Sequence, residues 1–312
     1  GEAARSTGCR GLRTLILERG DRVAIVEPAG AAAAEDGGLL EDARLLLEEW
    51  GLCVSVPIEA HSHFYLAGTD AERAERLKAA LGDRNIRGIF CARGGYGTMR
   101  LFARLDREMV SGPKLLVGYS DITALHLAAS RLWPEVLSLH APNVATRQLL
   151  GDGAAAEQNR EALRRALFDA NHEVDLPLEM LRPGTASGRL AGGCLSLVAA
   201  TLGSAFALRT EGRILFLEDT KEAPYRIDRM LMQLRNAGIL DRIGGLVFGV
   251  MHACEDGASD LRALITDVLG ETSFPIGFGL AAGHGETNIT LPLGGHAVLD
   301  GATSRFHVRR GG

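Results

Sequence analysis

The sequence lacks long apolar runs and has no strong excess of either charge. No segment approaches the ~20 consecutive apolar residues that a membrane-spanning helix needs, and the first residues contain no stretch that resembles a signal peptide. The 34 basic and 39 acidic side chains leave a net charge of −5 and form no basic stripe, which is not typical of nucleic-acid-binding proteins. We therefore expect neither a membrane nor a nucleic acid as a partner.

Cysteine is also scarce. The chain has 5 cysteines, an odd number, and no Cys-x-x-Cys pair. This pattern is not typical of a disulfide framework or a cysteine zinc site, and it favours a reducing, cytoplasmic location. His61 and His63 could place two imidazoles on one strand face, but no third ligand follows at a recognisable spacing. We expect no metal and no other cofactor. The cysteines are Cys9, Cys53, Cys91, Cys194 and Cys254.

The first half of the chain contains instead a regular alternation of apolar and amphipathic segments. Strands that are apolar throughout and separated by helices are typical of a parallel sheet covered on both faces. The sequence therefore predicts an α/β domain. The predicted strands are 22–28, 53–58, 88–92, 114–118 and 136–140, and the predicted helices are 39–51, 70–82, 98–105 and 124–132.

The second half mixes short, glycine-punctuated strands with two helices, a pattern that predicts a smaller, β-rich α+β domain. A chain of 312 residues is also longer than most single cores. We predict an N-terminal domain over residues 1–145, a connector over 146–187 and a C-terminal domain over 188–312.

Two stretches fall at the carboxyl ends of predicted strands, where parallel sheets bind their ligands. In CARGGYGTMR, residues 91–100, the glycines permit positive φ angles, and backbone N–H groups there could stabilise an oxyanion. The spacing does not match a dinucleotide-binding fingerprint, and a tight turn with no further role is the alternative. In LLVGYSDITAL, Ser120 is either a helix N-cap or a nucleophile held at a strand-to-helix corner.

A serine nucleophile needs a base, and His284 is the preferred candidate among nine histidines. It lies between two glycines in AAGHGETN, on a loop that follows an apolar strand, where ionisable residues are often functional. A carboxylate could orient this histidine. The apolar strand in RILFLED ends in Glu218 and Asp219, and Glu222 in the next loop competes with them. The alternative is that these acids only mark a solvated strand end.

Together these stretches resemble the LD-carboxypeptidase family, the serine peptidases that trim murein tetrapeptides. The matching segments follow the family order over roughly residues 20–295, and they are specific jointly rather than singly. They are GDRVAIVEPAG, YLAGTDAERAERLKAAL, GIFCARGGYGTMRL, LLVGYSDITALHL, LAGGCLSLVAATLGS, ILFLEDTKEAPYRIDRMLMQL and GFGLAAGHGETNITLPLG.

The resemblance implies a catalytic triad of Ser120, Glu218 and His284, and an oxyanion hole formed by the backbone of Asp121 and Gly95. It also implies a flavodoxin-like N-terminal domain, a homodimer, no metal, and a cytoplasmic role in peptidoglycan recycling. The expected reaction is the release of the terminal D-alanine from a murein tetrapeptide through an acyl-enzyme.

Substrate contacts are predicted from location alone. Arg93 and Arg226 are candidates for binding the substrate carboxylate, and Gly94 and Tyr96 of the glycine-rich loop are candidates for further contacts. Departures from the family pattern bear on specificity more than on mechanism. They are Cys194 in place of Asn, Ala141 in place of Gly, and Glu27 and Ala29 in place of a small residue and Ser.

Other functions remain open at this point. Within the same family, the microcin C immunity peptidases hydrolyse a peptidyl-nucleotide and related acyl-sulfamoyl adenylates, although PYRIDRM and GGYG resemble the murein branch more closely. A non-catalytic two-domain ligand-binding protein would also contain glycine loops, but it would not react with a fluorophosphonate at Ser120. A zinc peptidase would be inhibited by chelators.

Overall fold

The protein has two compact units that meet in sequence between His172 and Glu173. The structure, a computed structural model, describes residues 15–31, 38–56, 62–257 and 260–310. The last residues of the predicted strand 53–58 lie outside the described ranges. His61 also lies outside them. Among the residues that the structure describes, no helix combines the length and apolar character needed to cross a bilayer.

Five strands of the first unit pair in parallel, which confirms the predicted parallel sheet. They are β1 (Arg22–Val26), β2 (Cys53–Ser55), β3 (Ile86–Cys91), β4 (Lys114–Gly118) and β5 (Val136–His140). Their order is β5-β4-β3-β1-β2. Nearly every side chain of β1, β3 and β4 is buried, because helices cover both faces of such a sheet.

Helices connect these strands, since parallel strands need crossover connections. Within the described residues of the first unit, the helices are α1 (Leu39–Glu49), α2 (Asp70–Gly82), α3 (Thr123–Leu132), α4 (Arg147–Leu150) and α5 (Ala154–Phe168). A capping box of Thr69 and Glu72 starts α2, satisfying N–H groups that the helix leaves unpaired. Leu163 and Leu167 of α5 pack in the core of this unit. This helix lies within the connector predicted over 146–187, and the predicted domain bounds stay a prediction.

The segment after the glycine-rich loop differs from its prediction. The sequence predicts an α-helix over 98–105, whereas Thr98–Arg104 forms a 3₁₀ helix. Its buried residues, Thr98 and Leu101, are three positions apart, which is the period of a 3₁₀ helix. The short element thus turns one face to the interior without a full α-helical stripe.

The second unit contains a large mixed sheet, which confirms the predicted β-rich character. Its strands are β6 (Glu173–Pro177), β7 (Glu179–Arg182), β8 (Thr185–Cys194), β9 (Ile214–Thr220), β10 (Gly245–His252), β11 (Ile276–Phe278), β13 (His296–Asp300) and β14 (Arg305–Arg309), while Leu291–Pro292 forms the short strand β12. The order is β6-β14-β13-β8-β9-β10-β11-β7. The central strands β8 to β11 run parallel, and antiparallel strands flank them.

The described part of this unit contains three helices. They are α6 (Leu195–Ala200), α7 (Pro224–Asn236) and α8 (Leu261–Val268). The first helix follows β8 directly, and α7 and α8 form the crossovers from β9 to β10 and from β10 to β11. Pro224 stands at the start of α7, where its missing N–H costs nothing because that group has no helical partner. The loop between β9 and α7 begins where β9 ends, directly after Glu218, Asp219 and Thr220.

Candidate active site

The turn after β4 places Ser120 at a sharp corner. The strand ends at Gly118, and Ser120 begins a 3₁₀ turn, Ser120–Ile122, that leads into α3. Ser120 has a φ of 65°, a left-handed conformation that is uncommon for residues other than glycine and costs about 1–3 kcal/mol. Such strain clusters at functional sites, where the surrounding structure holds it in place.

The N-cap hypothesis for Ser120 is wrong. An N-cap residue has an extended backbone and accepts a hydrogen bond from a helix N–H group, whereas Ser120 lies inside the turn with a positive φ. Tyr119 and Ile122 occupy the N-cap positions of the turn and of α3, and neither makes a side-chain cap hydrogen bond. Capping therefore does not explain a serine at this corner.

The glycine-rich loop after β3 lies against Ser120. A Cβ atom on Gly94 would stand 3.0 Å from the Ser120 Cβ and 3.2 Å from its Oγ, so a side chain there would displace the hydroxyl. Gly95 has a φ of 101°, which a side chain would strain. The structure thus brings Gly94 and Ser120 together as the sequence predicts. The roles of the Gly95 and Asp121 N–H groups as oxyanion donors stay a prediction.

Asp121 joins this loop to the corner through its side chain. The buried carboxylate accepts hydrogen bonds from the Thr98 N–H at 2.8 Å and from the Thr98 hydroxyl at 2.6 Å. Burial raises the pKa of the Asp121 carboxyl, and the bonds from Thr98 oppose that rise. Because Thr98 follows the glycines directly, this contact fixes the far end of the loop relative to Ser120.

Arg73, in α2, supports the same loop and was not predicted from the sequence. Its side chain is buried and donates hydrogen bonds to the carbonyl oxygens of Pro28 and of Gly97, the latter at 2.9 Å. It also pairs with Asp70 at 2.5 Å. The sequence holds one weak indication of this role. Arg73 lies four residues before Leu77, so it falls on the apolar face of α2, where a charged side chain is unusual.

The predicted substrate contacts lie in both units. In the first unit, Arg93 donates a hydrogen bond to the Ala31 carbonyl at 3.3 Å. Tyr96 is 48% exposed, and its ring meets the Tyr65 ring edge-on with centroids 5.8 Å apart. In the second unit, the Arg226 guanidinium lies 2.7 Å from a Glu222 carboxylate oxygen. That ion pair accounts for Glu222, the competing carboxylate of the β9–α7 loop.

Glu218 and His284 form a close pair in the second unit. Glu218 is fully buried at the carboxyl end of β9, and its Oε2 lies 2.6 Å from His284 Nδ1 and accepts a bond from the His284 N–H at 3.2 Å. Gly283 has a φ of 121°, and a Cβ there would stand 2.6 Å from the same oxygen. The glycine before the histidine therefore lets the loop approach the carboxylate.

The charge of Glu218 acts on the His284 ring. Burial lowers the pKa of His284, but the hydrogen bond and negative charge of Glu218 outweigh burial and raise the pKa overall, with a smaller contribution from Asp219. Because Glu218 engages Nδ1, the ring presents Nε2 as its basic nitrogen. This pair is what the sequence predicts for the base and its orienting acid.

Asp219 plays a different part from its neighbour Glu218. Its carboxylate accepts hydrogen bonds from the Ser196 N–H at 2.7 Å and the Thr220 N–H at 2.8 Å, so it caps the start of α6. Adjacent side chains of a strand point to opposite faces, which explains why only one of the two acids reaches His284. Cys194 pairs in register with Glu218, and its buried Sγ lies 3.5 Å from Asp219 Oδ1.

Other histidines have different surroundings. His126 is buried, its Nε2 lies 2.8 Å from the Gly118 carbonyl oxygen, and burial lowers its pKa to about 4. It therefore stays neutral and ties α3 to the end of β4. His63 is described, whereas its partner in the hypothetical metal pair, His61, lies outside the described residues. Over the described ranges, no group of three or more His, Cys, Asp or Glu side chains is placed to hold a metal.

Two family models match most of the chain. The family model for the LD-carboxypeptidase N-terminal domain matches residues 23–141, and the model for the LD-carboxypeptidase C-terminal domain matches residues 187–299. Ser120 lies in the first match, and Glu218 and His284 lie in the second. The chain belongs to the LD-carboxypeptidase family, whose members are peptidases.

Individual relatives span nearly the whole chain. A candidate carboxypeptidase of Streptomyces coelicolor is 40% identical over 309 residues, covering 96% of each chain. The murein tetrapeptide carboxypeptidase of Pseudomonas aeruginosa is 32% identical and covers 91% of this chain and 95% of its own. The microcin C7 self-immunity protein MccF, solved with glutamyl sulfamoyl guanosine, has the same fold at 20% identity, with a TM-score of 0.86 over 96% of this chain and 98% of that one.

Proposed function

We propose that the protein is a serine LD-carboxypeptidase that releases the terminal D-alanine from murein tetrapeptides, at the bond between an L-diamino acid and D-Ala. The observation that carries the proposal is the 2.6 Å contact of Glu218 with His284 Nδ1, which makes an oriented, strengthened base. The strained corner at Ser120 and the name of the Pseudomonas aeruginosa relative support it further.

In the proposed first step, His284 Nε2 takes the proton of the Ser120 hydroxyl as Oγ attacks the carbonyl carbon before D-alanine. The Asp121 and Gly95 N–H groups donate hydrogen bonds to the oxyanion. His284 then gives the proton to the leaving amine, and the C–N bond breaks to leave an acyl-enzyme. In the second step, a water molecule loses a proton to His284 as its oxygen attacks the acyl carbon. The bond between that carbon and Ser120 Oγ then breaks, and His284 gives the proton it took from water to Oγ, which releases the shortened peptide as a carboxylic acid.

Recognition of the substrate's free carboxylate calls for a cation. We propose Arg93 ahead of Arg226, because Glu222 already neutralises Arg226 at 2.7 Å. Arg93 directly precedes Gly94, which lies against Ser120. The exposed ring of Tyr96, in the same loop, is proposed to contact the remainder of the peptide.

We place the reaction in the cytoplasm, in the recycling of cell-wall peptides, and propose a homodimer. The free thiols of Cys53, Cys91, Cys194 and Cys254 fit a reducing compartment. Light scattering on the purified protein should give twice the chain mass of 33.2 kDa. A mass of one chain at micromolar concentration would overturn the dimer and leave the chemistry untouched.

The test of the reaction is incubation of the protein with a murein tetrapeptide, followed by assay of free D-alanine. Ser120→Ala should reduce release by about 10⁴-fold or more, since it removes the nucleophile. The matched control is Ser130→Ala, which changes an exposed serine of α3 and loses only a bond to the Leu127 carbonyl. Retained release in Ser120→Ala would contradict the proposed nucleophile.

The same samples distinguish the alternatives. A fluorophosphonate should label wild-type protein and Ser130→Ala but not Ser120→Ala. Labelling without D-alanine release, together with hydrolysis of an acyl-sulfamoyl adenylate, would favour the immunity-type activity of MccF. A protein that is neither labelled nor active on either substrate would fit the non-catalytic ligand-binding function.

A further inference from the structure

Asn143 lies on the segment after β5, and its side chain is buried against the peptide units on both sides of Tyr119. Its Oδ1 accepts a hydrogen bond from the Tyr119 N–H at 3.1 Å, and its Nδ2 donates to the Tyr119 carbonyl at 3.4 Å. Only one orientation of the amide group satisfies both bonds. Tyr119 directly precedes the strained Ser120, so Asn143 fixes the chain at the point where it enters the left-handed turn.

The backbone of Asn143 is itself held on two sides. The Val144 and Ala145 N–H groups donate to the carbonyls of Cys91 and Ala92 at 3.0 and 2.9 Å, which ties the segment to the end of β3. The Thr146 hydroxyl donates to the Asn143 carbonyl at 2.7 Å. The backbone that carries the amide group is therefore held in place, and the Asn143 segment links the carboxyl ends of β3 and β4.

Two glycines make room for this amide group. A Cβ on Gly118 would stand 2.8 Å from Asn143 Oδ1, and a Cβ on Gly94 would stand 3.3 Å from Asn143 Nδ2. The same Cβ on Gly94 would meet the Ser120 hydroxyl at 3.2 Å. Asn143 therefore fills the space between the end of β4 and the glycine-rich loop, beside the predicted nucleophile.

We infer that Asn143 is a positioning residue for Ser120. It holds the two peptide groups of Tyr119, and this keeps Ser120 Oγ at the corner in the position from which it reacts. This inference rests on the proposed function. Neither amide oxygen nor amide nitrogen takes part in the reaction. Loss of the two bonds lets the corner relax from its strained conformation, and displacements of about 1 Å cost about 10²-fold in rate.

The first test is Asn143→Leu, which keeps the number and branching of the side-chain heavy atoms and removes both hydrogen bonds. The expected result is a kcat about 10²-fold lower with KM within threefold of wild type, and fluorophosphonate labelling slowed to a similar degree. The matched control is Asn159→Leu, because Asn159 is also buried in the first unit and its Nδ2 bonds a backbone carbonyl, that of Gln148 at 2.8 Å. This control should lower the melting temperature and leave kcat within threefold.

The second test is Asn143→Asp, which separates positioning from general loss of structure. A protonated carboxyl can accept from the Tyr119 N–H and donate to the Tyr119 carbonyl as the amide does, whereas an ionised one repels that carbonyl. Burial favours the protonated form, so the kcat of this variant relative to wild type should rise as the pH is lowered from 8 to 6. Asn159→Asp should show no such rise.

The outcomes separate the two proposals. If wild-type protein neither releases D-alanine nor reacts with the fluorophosphonate, the proposed function fails. If wild type is active and Asn143→Leu keeps its kcat and labelling rate, the positioning role fails alone. Equal losses of kcat in Asn143→Leu and Asn159→Leu at matched melting temperatures would also overturn it, since they would show a general effect on the fold.

Discussion

At the scale of single residues, Glu218 and Asp219 are neighbours in the sequence but make unrelated contacts. Glu218 is fully buried against His284, whereas Asp219 bonds the backbone at the start of α6. Both are strand-end acids, and the sequence alone leaves Glu218, Asp219 and Glu222 as competitors. The choice depends on which face of β9 the His284 loop covers, and that is a long-range contact with no local signature.

The first prediction concerns the acid limb of the pH profile. The base must be neutral to act, and Glu218 raises the pKa of His284 above its ordinary 6.5. The value of kcat/KM should therefore decrease on the acid side, with the midpoint of that decrease above pH 6.5. Glu218→Gln removes the charge that opposes burial, so the limb should move to lower pH while the maximal rate drops by about 10²-fold or more. The measurement is kcat/KM for D-alanine release between pH 5 and 9.

Asp219→Asn is the matched control for that experiment. Its charge contributes less to the pKa of His284, so the limb should shift less, in the same direction. Both of its oxygens accept backbone N–H bonds, so the substitution should lower the melting temperature more than kcat. A limb that stays in place in Glu218→Gln would show that His284 is not the titrating base.

At the scale of elements, the glycine-rich loop depends on the helix beneath it. Arg73 donates to the carbonyl of Gly97, in the loop, and to that of Pro28, which follows β1. Helix α2 therefore contributes more than a covering face to the sheet, because one of its side chains donates to the Pro28 carbonyl and joins the Arg100 N–H as a donor to the Gly97 carbonyl. The contact partners lie 45 and 24 residues away in the chain.

The second prediction follows from this support. Arg73→Met keeps an apolar stem but removes the donor to the Pro28 carbonyl and one of the two donors to the Gly97 carbonyl. It should lower the free energy of unfolding by about 2–3 kcal/mol. The control is Arg100→Met, which also contacts Asp70 but is 39% exposed and should cost below about 1 kcal/mol. Urea unfolding followed by circular dichroism measures both. Equal losses of stability in the two variants would mean that the contact with Asp70, rather than the bonds to the two carbonyls, accounts for the contribution of Arg73 to the free energy of unfolding.

Elements were largely predictable where periodicity is strong. The continuous apolar runs predicted β1, β3, β4 and β5, and hence the two strand ends that carry the glycine-rich loop and Ser120. The sequence does not distinguish the 3₁₀ helix at Thr98–Arg104 from an α-helix, because a segment this short fits either period. The supporting roles of Arg73 and Asn143 escaped prediction, since both depend on carbonyl and N–H groups far along the chain.

At the scale of the whole molecule, the side chains assigned to the reaction are divided between the two units. Ser120 belongs to the first, and Glu218 and His284 belong to the second. Composition and alternation predicted a parallel α/β unit followed by a β-rich one. The order of the second sheet, with parallel strands β8 to β11 inside antiparallel flanks, could not be predicted, because strand pairing across long separations leaves no periodic trace.

The third prediction concerns the stability of the molecule in acid. The pKa of buried His126 is lowered to about 4 in the folded protein from an ordinary 6.5. Between these values the unfolded chain binds a proton that the folded one does not, so the free energy of unfolding falls as the pH drops from 6.5 to 4. The contribution amounts to about 3 kcal/mol.

His126→Gln should therefore flatten this loss of stability, since the amide can still donate to the Gly118 carbonyl and does not titrate. Urea unfolding at pH 7 and pH 4.5 gives the difference for wild type and variant. His252→Gln, at an exposed position, should behave as wild type. Parallel stability curves for wild type and His126→Gln would contradict the assignment of this loss to His126.

The positive φ of Ser120 also limits which side chains could replace the proposed nucleophile at this corner. A β-branched side chain is strongly disfavoured in the left-handed region, so threonine is barred from position 120 although its hydroxyl has the same chemistry. Cysteine, unbranched at Cβ, has no such obstacle. Among hydroxyl and thiol side chains, a single backbone angle thus permits serine and cysteine and disfavours threonine.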